Sequence, residues 1–264
     1  MKHRNMLIAA LAVLLFIGCR PEGNAGAETG GTSAVRDVAA RGAAGTAMRG
    51  GGEEVRFTTD DGIVITGTLY PAGNRAPAVL CLHQWRSDRR SFAALAGSLQ
   101  AAGMTVLAID MRGYGGSTKT ASGSSVRPDR KAVADIKAAM AFLRGQASVD
   151  AGRIGIVGAS YGSSNAIIYA AGDAAVRATV LISPGLNYFN ELPTEAPVRK
   201  YKGRPLLAVA SSEDLRSIET VDAYRGIDPA MEVKIYPNAG HGTDILDAGV
   251  GLDAVIAAFL KKNL

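Results

Sequence analysis

Short apolar runs alternate with segments of helical spacing along most of this chain, and this alternation restricts the fold more than any other feature. Strands that are apolar along their whole length are typical of a parallel sheet covered by helices on both faces. We therefore predict an α/β fold with a doubly wound, mainly parallel sheet. The runs are PAVLCLH (77–83), MTVLAID (104–110), RIGIVGAS (153–160), RATVLISP (177–184), RPLLAVASS (204–212) and MEVKIYP (231–237).

The folded domain is predicted to span residues 53–264. At its start, the alternating segments EEVRFTT and IVITGTLY flank Asp-Asp-Gly, a pattern typical of a β-hairpin. This hairpin adds antiparallel strands at one edge of the sheet. No long insertion interrupts the alternation, so we expect a minimal cap. Residues 185–204 are the irregular segment of greatest length, and we expect them to form a rim or a small lid.

Residues 1–19 are typical of an export signal. Lys2 and Arg4 precede a short apolar stretch at residues 6–17. This stretch falls short of the ~20 apolar residues that a transmembrane helix needs. A positive start followed by a short apolar stretch is instead the pattern of a signal peptide.

The signal resembles that of bacterial lipoproteins at its end, LFIGC, where Cys19 takes the place of the lipidated cysteine. Phe16 departs from the leucine usual in that pattern, so simple cleavage and secretion is the alternative. We predict an exported protein whose lipid anchor holds it to the membrane of the cell envelope. Because Arg20 rather than aspartate follows the cysteine, we expect the outer membrane in a Gram-negative host, and otherwise a periplasmic or secreted protein. The Gly/Ala-rich residues 20–52 are predicted to be a flexible tether.

The charge pattern and the cysteines exclude several classes of partner. The chain has 29 basic and 24 acidic residues without a dense basic run, and only 6% aromatic residues. A nucleic-acid groove needs a basic stripe, so we expect no nucleic-acid partner. Cys19 and Cys81 lack CxxC spacing, and the histidines are far apart. We therefore expect no disulfide framework, no metal site and no cofactor, with Cys81 as a buried strand thiol.

The sequence GASYG places Ser160 between Gly158 and Gly162, where an apolar run meets a helical segment. A serine in G-x-S-x-G between a strand and a helix is typical of a nucleophile on a tight elbow. The glycines permit the close backbone approach that such an elbow requires. We predict that Ser160 is a catalytic nucleophile; a turn without chemistry is the alternative.

A serine nucleophile needs a base, and the base needs a group that orients it. His241 follows the last predicted strand, and Asp214 follows the strand before it. We predict both as catalytic residues, with Glu213 as the competitor of Asp214. Carboxyl ends of parallel strands share one edge of a sheet, so the three side chains are expected to meet there.

An oxyanion hole requires two backbone N–H groups near the nucleophile. Tyr161, directly after Ser160, is predicted to supply one. The other is expected from the loop HQWRSD after the first parallel strand, from Trp85 or alternatively Gln84. His83 in this loop is expected to brace it by hydrogen bonds rather than to act in catalysis.

Several of these segments together resemble an α/β-hydrolase over most of residues 53–264. The segments are LCLHQWRSDRRSF, AIDMRGYGGS, IGIVGASYGSS, LISPGLNY, SSED and NAGHGT. The likeness is to the lidless dienelactone-hydrolase-like group of bacterial esterases. Two departures are Gln84, where many relatives carry glycine, and Ser160, where true dienelactone hydrolases use cysteine. DMRGYGGS (110–117) resembles a loop that packs beside the elbow, and we interpret it as structural.

The resemblance implies a serine hydrolase that cleaves small-molecule carboxylic esters of small to medium acyl groups. Trp85, Tyr188 and Phe189 are predicted to line an open, shallow substrate site. Thioesters, lactones and peptides react by the same chemistry and remain alternative substrates. The sequence does not indicate the oligomeric state. A non-catalytic binding lipoprotein on the same fold is the alternative from a different class.

Overall fold

The computed structural model of the protein describes residues 51–264. Its elements are strands β1 (Glu53–Thr58), β2 (Ile63–Tyr70), β3 (Ala76–Leu82), β4 (Thr105–Ile109), β5 (Lys119–Thr120), β6 (Val149–Ala159), β7 (Val176–Ile182), β8 (Asn187–Tyr188), β9 (Leu192–Pro193), β10 (Leu206–Ser211) and β11 (Glu232–Tyr236), and helices α1 (Ala93–Ala101), α2 (Val133–Arg144), α3 (Tyr161–Gly172), α4 (Glu195–Tyr201), α5 (Leu215–Ile227), α6 (Asp244–Asp247) and α7 (Leu252–Asn263). A 3-10 turn at Arg89–Phe92 precedes α1.

The main sheet has the strand order β1-β2-β4-β3-β6-β7-β10-β11, with β5 paired to β2. The six strands from β4 to β11 in this order are parallel. β1 and β2 are antiparallel and form the hairpin predicted at the edge of the sheet. The predicted fold class, a doubly wound and mainly parallel sheet with an antiparallel N-terminal edge, is confirmed.

Both faces of the sheet are buried, as the continuous apolar runs predict. Along β3, Leu80 and Leu82 pack on one face with α2, α3, α4 and α5. Val79 and Cys81 pack on the other face with α1, α6 and α7. Cys81 is a fully buried free thiol. Because side chains alternate along a strand, one apolar run supplies both cores.

The segment at residues 185–204 has more regular structure than the sequence indicates. It contains the β8–β9 hairpin and the helix α4. The hairpin turn places Phe189 and Asn190 at φ angles of 60° and 57°, a left-handed pair that non-glycine residues seldom adopt. The segment is a small rim between β7 and β10 rather than a cap domain.

The loop at residues 110–117 is held by buried ion pairs and hydrogen bonds. The Asp110 carboxylate is fully buried and accepts hydrogen bonds from the backbone N–H groups of Arg89 and Gly116 at 2.8 and 2.7 Å. It also pairs with the Arg89 guanidinium. Ser117 donates to the Asp110 carbonyl at 2.7 Å. These bonds therefore fix the loop to the end of β4 and to Arg89.

The predicted signal peptide, Cys19 and the predicted tether as far as residue 50 lie outside the described residues. Between residues 51 and 264, the structure contains no helix that is both long enough and apolar enough to cross a membrane.

Candidate active site

Ser160 lies in the junction between β6 and α3, at the centre of the sheet. Its φ and ψ angles are 50° and −116°, a strained conformation for a residue with a side chain. Such a conformation costs on the order of 1–3 kcal/mol and persists only where the surroundings impose it. Here the Ser160 N–H donates to the Ile182 carbonyl of β7 at 2.8 Å. The backbone geometry is that of the elbow predicted from GASYG.

Gly158 and Gly162 allow this junction to pack tightly. A Cβ atom at Gly158 would lie 2.4 Å from the Gly162 carbonyl oxygen. A Cβ atom at Gly162 would lie 2.2 Å from the Leu82 carbonyl oxygen at the end of β3. Real Cβ atoms do not approach other atoms so closely. The two glycines therefore let the elbow rest directly on the strand that leads into the predicted oxyanion loop.

The structure brings Ser160, His241 and Asp214 into one hydrogen-bonded chain. His241 Nε2 lies 2.7 Å from Ser160 Oγ, and His241 Nδ1 lies 2.6 Å from Asp214 Oδ2. In the neutral imidazole that fits these contacts, Nδ1–H donates to Asp214 and Nε2 accepts from the serine hydroxyl. Ser160 is 7% exposed, whereas the His241 side chain is 43% exposed. The arrangement can move a proton from the serine to the histidine.

Asp214 is ionised because its hydrogen bonds outweigh its burial. Burial alone raises the pKa of a carboxyl group, but hydrogen bonds from Ser217 and His241 lower the pKa of Asp214 below its usual value. The Ser217 hydroxyl donates to Asp214 Oδ2 at 2.6 Å, the oxygen that also faces His241. Asp214 Oδ1 also accepts from the Ser217 N–H as the N-cap of α5, at 3.4 Å. The carboxylate is thus charged and fixed in direction.

Glu213, the competitor of Asp214, has a different position. Its Oε1 accepts the Gly240 N–H at 2.7 Å, and its Oε2 accepts the Ser211 hydroxyl at 2.5 Å. These two donors lower the pKa of Glu213, the Ser211 hydroxyl most strongly. Glu213 therefore holds the backbone beside His241, and Asp214 is the carboxylate that contacts the ring.

The loop after β3, residues 83–88, lies against the elbow and is braced by His83. The buried His83 Nδ1 lies 2.7 Å from the Gln84 carbonyl oxygen, and its Nε2 accepts the Met111 N–H at 3.0 Å. Burial lowers the pKa of His83, which favours the neutral ring that these contacts require. His83 thus has the bracing contacts expected of it.

The backbone N–H groups of Trp85 and Tyr161 are the predicted oxyanion-hole donors. Tyr161 directly follows Ser160, and the ring centroids of Trp85 and Tyr161 are 5.3 Å apart. Among residues 51–264, neither of these two N–H groups donates to another group of the protein. Tyr161 is the first residue of α3, where unpaired N–H groups and the helix dipole favour negative charge. The Gln84 side chain instead turns away to accept the Thr243 N–H at 2.7 Å.

An aromatic wall, defined as Trp85, Tyr188 and Phe189, borders the site. The ring centroids of Trp85 and Phe189 are 4.8 Å apart, and those of Tyr188 and Phe189 are 6.2 Å apart. The Tyr188 hydroxyl donates to the Ser183 carbonyl at 3.1 Å. Burial raises the pKa of Tyr188, so this hydroxyl is neutral at physiological pH. These three predicted substrate-binding residues therefore form one continuous surface.

Comparison with known proteins agrees with the fold. The α/β hydrolase fold family matches residues 77–202. An uncharacterized protein of Mycobacterium tuberculosis is 31% identical over 227 residues, 77% of this chain and 78% of that protein. The dienelactone hydrolase of Anabaena variabilis superimposes with a TM-score of 0.65 at 19% identity, covering 81% of this chain and 99% of that one. An esterase of Pyrococcus furiosus superimposes with a TM-score of 0.63 at 22% identity, covering 80% of this chain and 92% of that one.

A strand–elbow–helix junction whose serine is bonded to a histidine is typical of the α/β hydrolases. The chain belongs to the α/β-hydrolase family. Membership supports hydrolase activity. In the part of the chain that the structure describes, His, Cys, Asp and Glu side chains form no group of three or more that could hold a metal ion.

Sequence reasoning missed Ser217, which is fully buried and bonds directly to Asp214. A signal was available, since an aspartate at a helix start bonds to the backbone two or three residues later. Asp214 and Ser217 have that spacing at the start of α5.

Proposed function

We propose that the protein hydrolyses carboxylic esters of small to medium acyl groups through an acyl-enzyme on Ser160. The observation that carries this proposal is the hydrogen-bonded chain from Ser160 Oγ to His241 and on to Asp214, at 2.7 and 2.6 Å. The relatives support the same chemistry, since the structural neighbours include an esterase and a dienelactone hydrolase.

Acylation begins when Ser160 Oγ attacks the acyl carbonyl carbon and its proton passes to His241 Nε2. Asp214 stabilises the imidazolium through the Nδ1–H bond. The oxygen of the tetrahedral intermediate accepts hydrogen bonds from the Tyr161 and Trp85 N–H groups. His241 then returns the proton to the leaving alkoxide, and the alcohol departs from an acylated Ser160.

Deacylation repeats these steps with water. His241 takes a proton from water as the water oxygen attacks the acyl carbon. The same two N–H groups stabilise the second oxyanion. Collapse of this intermediate returns the proton to Ser160 Oγ and releases the carboxylic acid. No cofactor takes part in this cycle.

The rim of the site favours small to medium acyl groups. Between β7 and β10 the chain forms only the β8–β9 hairpin and α4. The aromatic wall supplies apolar contact for an acyl chain. The short β8–β9 hairpin and α4 do not build a long enclosed channel around it. The strained backbone of Ser160 supports a catalytic role, because strained residues cluster at functional sites.

We also propose that the protein is exported and held at the cell envelope by a lipid on Cys19. The basic start, the short apolar stretch and LFIGC support this location. Cell fractionation tests it. The wild-type protein is expected with membranes, and Cys19→Ser is expected to leave them; a wild-type protein found only in soluble fractions contradicts the anchor.

The activity is tested with p-nitrophenyl esters of increasing acyl length, using the full chain and Ser160→Ala. We expect turnover to be highest with short and medium chains and to fall with long chains. Ser160→Ala is expected to lose turnover while keeping its circular dichroism spectrum. A Ser160→Ala protein that retains most of the esterase rate would refute the proposal. Parallel assays with thioester, lactone and peptide substrates compare turnover and show which bond is cleaved fastest.

A further inference from the structure

The loop that carries His241 is held almost entirely by side chains from other loops. We call residues 237–243 the histidine loop. It has no regular secondary structure and connects β11 to α6. Asn238, Gly240 and Gly242 all have left-handed φ angles, of 46°, 88° and 63°. A loop with such alternating bends has few backbone partners of its own, so its position depends on external contacts.

Five backbone N–H groups of the histidine loop donate to side-chain oxygens at strand ends. Each bond joins the loop to an acceptor at the carboxyl end of β3, β7 or β10, with distances of 2.7 to 3.2 Å. The bonds are Asn238 N–H to Ser212 Oγ at 3.2 Å, Ala239 N–H to Ser211 Oγ at 2.7 Å, Gly240 N–H to Glu213 Oε1 at 2.7 Å, Gly242 N–H to Ser183 Oγ at 2.8 Å and Thr243 N–H to Gln84 Oε1 at 2.7 Å.

Gln84 makes the bond that links the histidine loop to the loop of the predicted oxyanion hole. Its Oε1 accepts both the Thr243 N–H and, at 3.3 Å, the Thr243 hydroxyl. A Cβ atom at Gly242 would lie only 1.9 Å from Gln84 Oε1, so the amide lies flat on that glycine. The main-chain carbonyl of Gln84 also accepts from His83. One residue thus fixes two loops relative to each other.

Gln84 is therefore placed to set the distance between the base and the predicted oxyanion donors. His241 precedes the Gly242–Thr243 pair that Gln84 contacts, and Trp85 follows Gln84 directly. Removal of the Gln84 amide would leave the Thr243 N–H without its acceptor and release one side of the histidine loop. Misplacement of a catalytic group by about 1 Å can cost about 100-fold in rate.

We propose that Gln84 is a positioning residue, which acts through the histidine loop to keep His241 Nε2 in line with Ser160 while the Trp85 N–H faces the oxyanion. This inference rests on the proposed function. Within the described residues, Gln84 forms no hydrogen bond to Ser160 or to the His241 ring, so it acts on the positions of these two side chains.

The test compares Gln84→Met, which has similar length but lacks an acceptor, with Gln84→Glu, which keeps one. We expect Gln84→Met to lower kcat for p-nitrophenyl acetate about 10- to 100-fold with KM changed less than about 3-fold. Gln84→Glu is expected to recover most of that loss, because a carboxylate oxygen accepts the same Thr243 N–H. Gln146→Met is the matched control, since it removes a glutamine bond to the Phe142 carbonyl on α2, and its kcat should equal that of the wild type.

Two results would overturn the positioning role. One is a folded Gln84→Met whose kcat stays within about 2-fold of wild type; the other is a loss that Gln84→Glu does not restore. If Gln84→Met fails to fold, Gln84→Ala removes the same acceptor with a smaller side chain, and a kcat within about 2-fold of wild type in that variant rejects the proposal. Ser160→Ala separates the two hypotheses, because its survival as an esterase contradicts the proposed function, whereas its loss together with an active Gln84→Met contradicts only the role of Gln84.

Discussion

The elbow at residues 158–162 and the histidine loop at residues 237–243 hold the side chains of Ser160 and His241 in different ways. The elbow lies between a strand and a helix, its serine is 7% exposed, and glycines let its backbone rest on β3. The histidine loop is irregular, its histidine side chain is 43% exposed, and side-chain oxygens at the ends of three strands hold its backbone. The proposed nucleophile is thus positioned by local packing, and the proposed base by contacts that are distant in sequence.

This difference predicts that the elbow tolerates no added atom. Gly162→Ala places a methyl group 2.2 Å from the Leu82 carbonyl oxygen, so β3 and α3 must separate. We expect a loss of stability of about 3 kcal/mol together with loss of the esterase activity. Urea unfolding and p-nitrophenyl acetate turnover measure both.

Gly172→Ala at the far end of the same helix is the matched control, because its Cβ meets nothing within 4 Å. It should be as stable and as active as the wild type. Equal stability of Gly162→Ala and Gly172→Ala would show that the elbow is not closely packed.

Substitutions of the adjacent acidic residues Asp214 and Glu213 distinguish a proposed catalytic role from support of the histidine loop. Asp214→Asn keeps the size of the side chain but loses the charge that stabilises the imidazolium, so we expect kcat to fall about 10⁴-fold. Glu213→Gln keeps an acceptor for the Gly240 N–H and should lower kcat by less than about 10-fold. Steady-state kinetics on both variants decide the assignment, and a larger loss for Glu213→Gln would reverse it.

Ser217→Ala produces the smallest expected effect, and that effect depends on pH. The Ser217 hydroxyl helps to hold the pKa of Asp214 below its unfolded value. A depressed carboxyl pKa contributes stability above the unfolded pKa, near 4, and the contribution is lost as pH falls through the folded value. We expect Ser217→Ala to lower the free energy of unfolding by about 1 kcal/mol at pH 7.

This stability difference between wild type and Ser217→Ala should shrink as the pH falls below about 4. Urea unfolding at pH 7 and at acidic pH measures it. A difference that is constant with pH would mean that Ser217 acts only through packing.

The elbow was predictable from sequence because its determinants are contiguous. The pattern GASYG, the apolar run before it and the helical segment after it specify the strand, the turn and the helix within about twenty residues. The sheet was predictable for a similar reason, since each apolar run forms a strand by itself. Asp214 and His241 could be placed at the correct edge because each follows such a run.

The supports of the histidine loop were not predictable in the same way. Whether Gln84 contacts Thr243 depends on the paths of two loops 159 residues apart in sequence. The β8–β9 hairpin also escaped prediction, because its turn uses Phe189 and Asn190 at left-handed φ angles instead of the usual Asn-Gly pair. Tertiary contacts of Phe189 with Trp85 and Arg130 accompany this unusual turn.

The most direct test of the account is to treat the full chain with a fluorophosphonate and map the modified peptide by mass spectrometry. We expect one adduct on Ser160 in the wild type, absent in Ser160→Ala and formed far more slowly in a His241→Ala variant, because the serine is then without its base. An adduct on another residue, or equal labelling of wild type and Ser160→Ala, would contradict it.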